Sequence, residues 1–236
     1  EHPVTEEVYG LDLVEWMLKI AAGEKLTLLQ SNIRPQKWSV EARLYAEDSS
    51  RGFLPSIGQL RSYQEPQGPG IRVDAGIAEG GSISMFYDPM VSKLIATAPT
   101  RVEAIDRLLL ALVQYQITGV STNRQFLAAI LSDKDFRNGI MTTGFIAEKF
   151  GDAFVAGVPE EPLAQELMAL GVALHARRLS NRHHGRDPGM RFAVCRSNGD
   201  DQIPHLMQWR TDIHGDIVSF DGREIRISGN LGDHLS

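Results

Sequence analysis

A single cysteine in 236 residues, Cys195, leaves no disulfide framework and no thiolate cluster for a metal, which fits a reducing compartment. No apolar run approaches the ~20 residues that cross a bilayer, so the sequence offers no spanning helix. Positive charge is also short. Lysine and arginine total 24 against 30 acidic residues, a formal net charge of -6, so neither nucleic acid nor an anionic membrane is an expected partner. No secretory leader opens the sequence and no initiator methionine precedes Glu1. The ends, Glu1-His2-Pro3 and His234-Leu235-Ser236, read as cuts through an internal piece of a longer protein. What is present is ordinary globular material, 42% apolar and 23% charged, enough for one large domain or two smaller ones.

The stretch 70–95 organises the rest. Ile71, Val73 and Ala75 alternate with Arg72 and Asp74, and a second alternation runs over 91–95 after Asp88-Pro89, which predicts two strands joined by a tight glycine-rich turn. The period of two puts Arg72 and Asp74 on one face. A charged pair inside an apolar strand is either a solvated sheet face or the floor of a site, and the strand alone leaves both open.

Before it, Thr5 is expected to cap a short helix carrying Glu6 and Glu7 in its first turn. A second helix is expected over 11–22, with Leu13, Met17, Ile20 and Ala21 on one stripe and Gly23 as the stop. Residues 38–47 form the cleanest period-two strand and 57–63 another. After it, Thr100 and Glu103 make a capping-box pair for a helix with Val102, Ile105, Leu109, Leu112, Val113 and Gln116 on its apolar stripe. Asn123 caps a helix to Leu131, and Thr142 or Thr143 starts a third that ends at Phe150. This order is an α+β pattern, an antiparallel sheet with covering helices.

Residues 151–160 lose periodicity and read as a linker. A long helix over 162–182 follows, with Leu163, Leu167, Leu170 and Leu174 on one face. Its closing Arg177, Arg178 and Arg182 read as a dipole cap, and the adjacent His183 and His184 lack a third ligand for a metal. Strands at 190–196, 205–211, 216–220 and 224–228 complete the reading, the last two joined by an Asp221-Gly222 hairpin turn. They stop before any sheet could close, which is expected to leave strand edges and an apolar inner face exposed.

Several separated motifs now carry a resemblance: Glu1-His2-Pro3-Val4-Thr5-Glu6, Arg43-Leu44-Tyr45-Ala46-Glu47-Asp48, Phe53-Leu54-Pro55-Ser56-Ile57-Gly58, Arg72-Val73-Asp74-Ala75-Gly76, Tyr87-Asp88-Pro89-Met90 through Leu94, and Gly119 through Asn123. In order over about 150 residues, they resemble the C-terminal half of a biotin carboxylase. The second part more loosely resembles the domain that follows biotin carboxylase in acyl-CoA carboxylase alpha subunits, those for propionyl-CoA in particular, which implies a long helix with an incomplete antiparallel β-barrel.

The resemblance implies the end of an ATP-grasp domain over 1–33, a biotin carboxylase C-terminal domain over 34–150, a linker, and part of a subunit-docking domain over 161–236. It implies ATP, Mg2+ or Mn2+, bicarbonate and biotin as reactants and cofactors, with the metal ligands and the biotinyl-lysine lying outside this sequence. Glu1 maps to the base that deprotonates bicarbonate, a task suited to a carboxylate whose pKa burial has raised. Arg72 maps to the guanidinium that holds the charged ureido oxygen of biotin, Asp74 becomes its orienting neighbour, and Thr143 falls near the nucleotide. Tyr87, Asp88 and Lys93 are expected to shape the sheet and its loop. The implied partners are a carboxyltransferase beta subunit and a biotin carboxyl carrier domain, in a hetero-oligomer of the bacterial cytoplasm or mitochondrial matrix. A methylcrotonyl-CoA or other acyl-CoA carboxylase, or a purely docking module, are the alternatives.

Overall fold

The structure, a computed structural model, describes residues 2–157, 161–182, 190–198, 201–212 and 214–227. The chain divides into two compact units, 1–156 and 157–236.

The first unit is built on a three-stranded antiparallel sheet. Strand β1 (Trp38–Tyr45) and β6 (Ile71–Ala75) flank a central β8 (Met90–Ala98). Three two-stranded ribbons decorate it: β2 (Glu47–Asp48) with β3 (Leu54–Pro55), β4 (Gly58–Gln59) with β7 (Ser82–Ile83), and β5 (Ser62–Gln64) with β9 (Gln116–Thr118). The strand expected at 57–63 is thus two short strands with different partners. Between them Leu60 is fully buried and its backbone bonds to Gly80 and Gly81. The connection from β6 to β8 is likewise not a tight turn. It is a longer excursion containing β7, whose pairing with β4 holds it away from the sheet.

Helix α1 (His2–Tyr9) and α2 (Leu13–Ala21) precede the sheet. Thr5 is not the cap expected of it: α1 already starts at His2, with Pro3 in the first turn, where its missing N–H costs nothing. Asp12 caps α2 by accepting from the Glu15 amide at 2.8 Å, and the stripe of that helix stays bare, with Met17 and Ile20 exposed. Helix α3 (Arg101–Gln114) begins at the Thr100–Glu103 capping box. It lies on β8 and β1 through Ala104, Ile105, Leu108, Ala111 and Leu112, each contributing about 1.5–3 kcal/mol where a large aliphatic side chain is fully buried. Leu108 is the centre of that stripe, whereas Val102 and Val113 face solvent and Gln116 has already entered β9.

Helices α4 (Arg124–Ser132), α5 (Lys134–Arg137) and α6 (Phe145–Phe150) close the unit. Phe126 gathers the rings of Phe53, Phe150 and Phe154 within 5.5 Å. Asn123 stands at the start of α4, yet its side chain does not cap the helix. Its Oδ1 accepts from the Tyr45 amide at 3.0 Å and its Nδ2 donates to the Arg43 carbonyl at 3.2 Å. These bonds fall where the β1–β8 register shifts between Leu44 and Tyr45, so the amide stands in for a missing rung of the ladder.

In the second unit, α7 (Leu163–Arg182) covers one face of a four-stranded sheet in the order β10 (Met190–Asn198), β11 (Asp201–Asp212), β12 (Gly215–Phe220), β13 (Arg223–Ile227). β10 and β11 both run further than their sequence patterns suggest, pairing continuously from Met190 with Trp209 to Asn198 with Asp201. The sheet is open, and the apolar face expected to be bare is covered: Met207, Trp209, Val218 and Phe220 are buried under α7.

The side of α7 that does this is the alanine side. Ala164, Ala169, Val172, Ala173 and Ala176 are buried, while Leu163 and Leu167 of the leucine stripe are about half exposed. Small side chains let the helix backbone approach the sheet closely, while Leu163 and Leu167 are left outside and Leu170 and Leu174 are half-buried. Arg177 is not merely a dipole cap either. Its Nε lies 2.5 Å from Oδ2 of the fully buried Asp216 of β12, the two charges meeting without hydrogen-bond alignment. His183, His184 and Ser228 lie outside the described residues.

Ala173→Leu is therefore expected to destabilise this unit by about 1–3 kcal/mol through overpacking, while Leu167→Ser stays within about 0.5 kcal/mol. Chemical denaturation of the two variants checks it. Equal losses would mean that both faces are packed.

Candidate functional site

Cross-strand neighbours share a face, so the β1-β8-β6 register sorts the side chains of the first sheet. The rows Val40–Ala96–Ile71, Ala42–Leu94–Val73 and Leu44–Ser92 point to α3 and the core, with Ala75 at the exposed end of the last row. The alternate rows, Glu41–Ile95–Arg72 and Arg43–Lys93–Asp74, occupy the other face, where α1 packs against β1 and β8. Arg72 and Asp74 are thus together on the face beneath α1.

The guanidinium of Arg72 is held on two sides. Nε donates to Asp74 Oδ1 at 2.9 Å and Nη2 to Asp74 Oδ2 at 3.0 Å, a two-pronged contact within one strand. Nη1 donates to Glu6 Oε2 of α1 at 2.9 Å, and Glu7 Oε1 stands 3.7 Å from the same nitrogen. Hydrogen bonding to Asp74, then to Glu6, raises the Arg72 pKa above its already high ordinary value, so the group stays charged at every pH at which the protein folds. A guanidinium has five N–H bonds. Three are spent on Asp74 and Glu6, leaving one on Nη1, whose nitrogen also pairs at longer range with Glu7, and one on Nη2 without a hydrogen-bond acceptor among the described residues.

This arrangement can donate two N–H bonds from a fixed plane. The neighbouring carboxylates cancel much of the long-range field of Arg72, so a free anion is drawn in weakly. At hydrogen-bond distance the two bonds act fully on an oxygen that gains charge during reaction.

The remaining candidates are more scattered. Thr143 is exposed on the turn before α6 and is not among the groups that touch Arg72. The neighbouring Thr142 Oγ1 accepts from the Gly144 amide at 3.2 Å. Asp88 Oδ1 accepts from the Met90 amide at 3.0 Å and so sets the start of β8, while Tyr87 projects almost fully into solvent. Glu1 lies outside the described residues. Among the described residues no three or more His, Cys, Asp or Glu side chains gather to hold a metal ion. A cleft of about 420 Å³ opens between the end of α1 and the start of β1, lined by Val8, Pro35, Gln36 and Trp38 among others, and Arg72 is not part of its wall.

Glu6 is the participant the sequence did not disclose. Its contact with Arg72 spans 66 residues, a distance no periodicity reports, and the only local signal was a pair of adjacent glutamates without a basic neighbour.

Burial, and secondarily the charge of Asp88, raises the pKa of Glu47. The folded state therefore holds this proton more tightly than the unfolded chain, and ionising Glu47 costs stability progressively as pH rises above the unfolded carboxylate value of about 4.3. Glu47→Gln is expected to melt with wild type near pH 4 and above it at pH 7, as thermal scans across that range would show. A difference that did not vary with pH would contradict the assignment.

Comparison with known proteins defines the class. Residues 41–148 match the biotin carboxylase C-terminal domain, and residues 1–29 match the ATP binding domain of the carbamoyl-phosphate synthase L chain. The propionyl-CoA carboxylase alpha chain of Ruegeria pomeroyi is 38% identical over 268 residues, covering 100% of this chain and 39% of its own length. The 2-oxoglutarate carboxylase small subunit of Hydrogenobacter thermophilus is 46% identical over 148 residues, covering 63% of this chain and 31% of its own. Among solved structures, the biotin carboxylase domain of a thermophilic 2-oxoglutarate carboxylase bound to bicarbonate superposes with a TM-score of 0.61 at 46% identity, over 63% of this chain and 33% of that one. A complete multifunctional pyruvate carboxylase from Rhizobium etli gives 0.66 at 34% identity, over 72% and 17%.

Residues 41–148 are a biotin carboxylase C-terminal domain, and the whole chain is similar to part of a biotin-dependent carboxylase chain. It spans 39% of the length of the Ruegeria pomeroyi relative and 31% of the Hydrogenobacter thermophilus one. No described helix is long and apolar enough to cross a membrane.

Proposed function

We propose that this chain is part of the biotin carboxylase component of an acyl-CoA carboxylase alpha subunit, a ligase that uses ATP and bicarbonate to carboxylate a protein-bound biotin for transfer to propionyl-CoA. The observation that carries the reading is the clamped Arg72, a permanent cation with one further N–H on each of Nη1 and Nη2, on the α1 face of a biotin carboxylase sheet. Such a donor pair fits a ureido oxygen, planar and charged only part of the time. Biotin, when bound, supplies the nitrogen that takes up the carboxyl group. The part played by this chain is to hold Arg72 in plane beside that oxygen, with Asp74 and Glu6 preventing the guanidinium from turning away.

Glu1 is proposed as the base for bicarbonate, and Thr143 offers an exposed hydroxyl toward the nucleotide. ATP supplies the activation of bicarbonate. The ligands of a magnesium ion are proposed to lie outside this sequence.

Propionyl-CoA is favoured over other acceptors because the Ruegeria pomeroyi relative matches through 157–236 as well, whereas the 2-oxoglutarate carboxylase match covers 63% of the chain. The second unit is proposed to dock a carboxyltransferase beta subunit in a hetero-oligomer that also includes a biotin carrier domain. The outward leucines of α7 support this, since an apolar edge left beside an alanine-packed core suits a protein partner. A bacterial cytoplasm or a mitochondrial matrix is the proposed compartment, in keeping with the relatives.

The test is an acceptor panel with the full-length alpha chain and its carboxyltransferase partner. Propionyl-CoA is expected to give the highest kcat/KM. A higher value with methylcrotonyl-CoA, pyruvate or 2-oxoglutarate would overturn the acyl assignment.

A further inference from the structure

We infer that Glu6 is a positioning residue for Arg72, and that it ties the N-terminus of α2 to the plane of the guanidinium. The inference rests on the reading of Arg72 as donor in the biotin half-reaction. Glu6 uses both carboxylate oxygens: Oε2 accepts from Arg72 Nη1 at 2.9 Å, and Oε1 accepts from the backbone N–H of Leu13, the first residue of α2, at 3.1 Å. One side chain therefore connects α1, α2 and β6.

Asp74 cannot do this alone. It lies two residues from Arg72 on the same strand, with a side chain 37% exposed, so the Arg72–Asp74 pair can swing as one body. Glu6 comes from another element and its side chain is 11% exposed, which supplies the second anchor that stops the swing. Nor can Glu6 rotate freely, because turning it would leave the Leu13 amide at the helix start without its acceptor. Glu7 does not replace it, since 3.7 Å is beyond hydrogen-bond reach of Nη1. The function requires two acceptor oxygens and a negative charge at this reach. Glutamine has one oxygen and no charge, and aspartate is a methylene too short to span both donors.

The test is a double-mutant cycle in the full-length enzyme, comparing wild type, Glu6→Gln, Arg72→Met and the double variant. The readout is single-turnover transfer of labelled bicarbonate carbon to the carrier-bound biotin. Glu6→Gln is expected to slow the transfer about 10-fold, the size of a lost hydrogen bond to a charged group. In the Arg72→Met background it is expected to slow transfer by less than about two-fold, because a residue that works through Arg72 has nothing left to position. An equal slowing in both backgrounds would show that Glu6 acts on the fold at large and would overturn the inference while leaving the role of Arg72 intact. A wild-type rate for Arg72→Met would instead remove the reading beneath it. Should Glu6→Gln fail to fold by circular dichroism, Glu6→Asp takes its place in the same cycle, with the same non-additivity expected.

Discussion

Arg72→Ala in the full-length enzyme is expected to lower the rate of biotin carboxylation about 10²- to 10³-fold, the cost of losing a preorganised donor aimed at a developing oxyanion. Bicarbonate-dependent ATP cleavage is expected to fall far less, because the two further N–H bonds of Arg72 are assigned to the biotin step. Arg72→Lys should recover little. An ammonium cannot reproduce the two-pronged contact with Asp74 and still reach Glu6 and an incoming oxygen. The variant also strips Glu6 and Asp74 of their shared cation, so its melting temperature must be followed alongside the kinetics. If ATP cleavage and biotin carboxylation were lost equally in a folded Arg72→Ala variant, Arg72 would belong to the bicarbonate or phosphate site and the assignment would fail.

Gly119→Ala is expected to destabilise the first unit by about 3 kcal/mol or more. Gly119 sits at φ +104°, where a side chain strains the backbone by about 1–3 kcal/mol. The same Cβ would overlap the Gln59 carbonyl oxygen and stand 3.0 Å from the Arg61 nitrogen, adding an overpacking cost of about 1–3 kcal/mol. Both neighbours are backbone, part of the seam where the Arg61 amide donates to Thr118 at 2.8 Å, so neither can give way cheaply. In a unit of this size the loss corresponds to a fall of roughly 6–12 °C in Tm, measurable by calorimetry. A fall below about 2 °C would mean that the β5–β9 ribbon can slide aside.

The parts of this fold that were legible in the sequence are those whose cause is local. The alternation of Ile71, Val73 and Ala75 with Arg72 and Asp74 reports a two-faced strand because the pleat has period two, and the Thr100–Glu103 pair reports a helix start because both bonds close within four residues. Long-range choices left no such mark. Nothing around Gly58 and Ser62 says that one run of strand-like residues will pair with β7 and then with β9.

On α7 the leucines dominated the hydropathy pattern, but the buried face is set by what the sheet can accommodate, and alanines fit more closely. Asn123 was rightly placed at a helix start, while the use of its side chain depended on an irregularity in β1, nearly eighty residues away. In the site, Arg72 and Asp74 were visible as a pair. The third member, Glu6, was not, because the fold alone brings α1 onto β6.

In β6, residues serving the core and residues serving the site alternate one by one: Ile71 and Val73 pack in the core, and Arg72 and Asp74 face α1. Selection can therefore act on the two sets independently. A sequence can drift among Ile, Val and Leu at the odd positions, repacking against α3 without moving a guanidinium, and the even positions can be retuned without opening a void. The same separation gives an engineer two dials on five consecutive residues, one for heat resistance and one for chemistry.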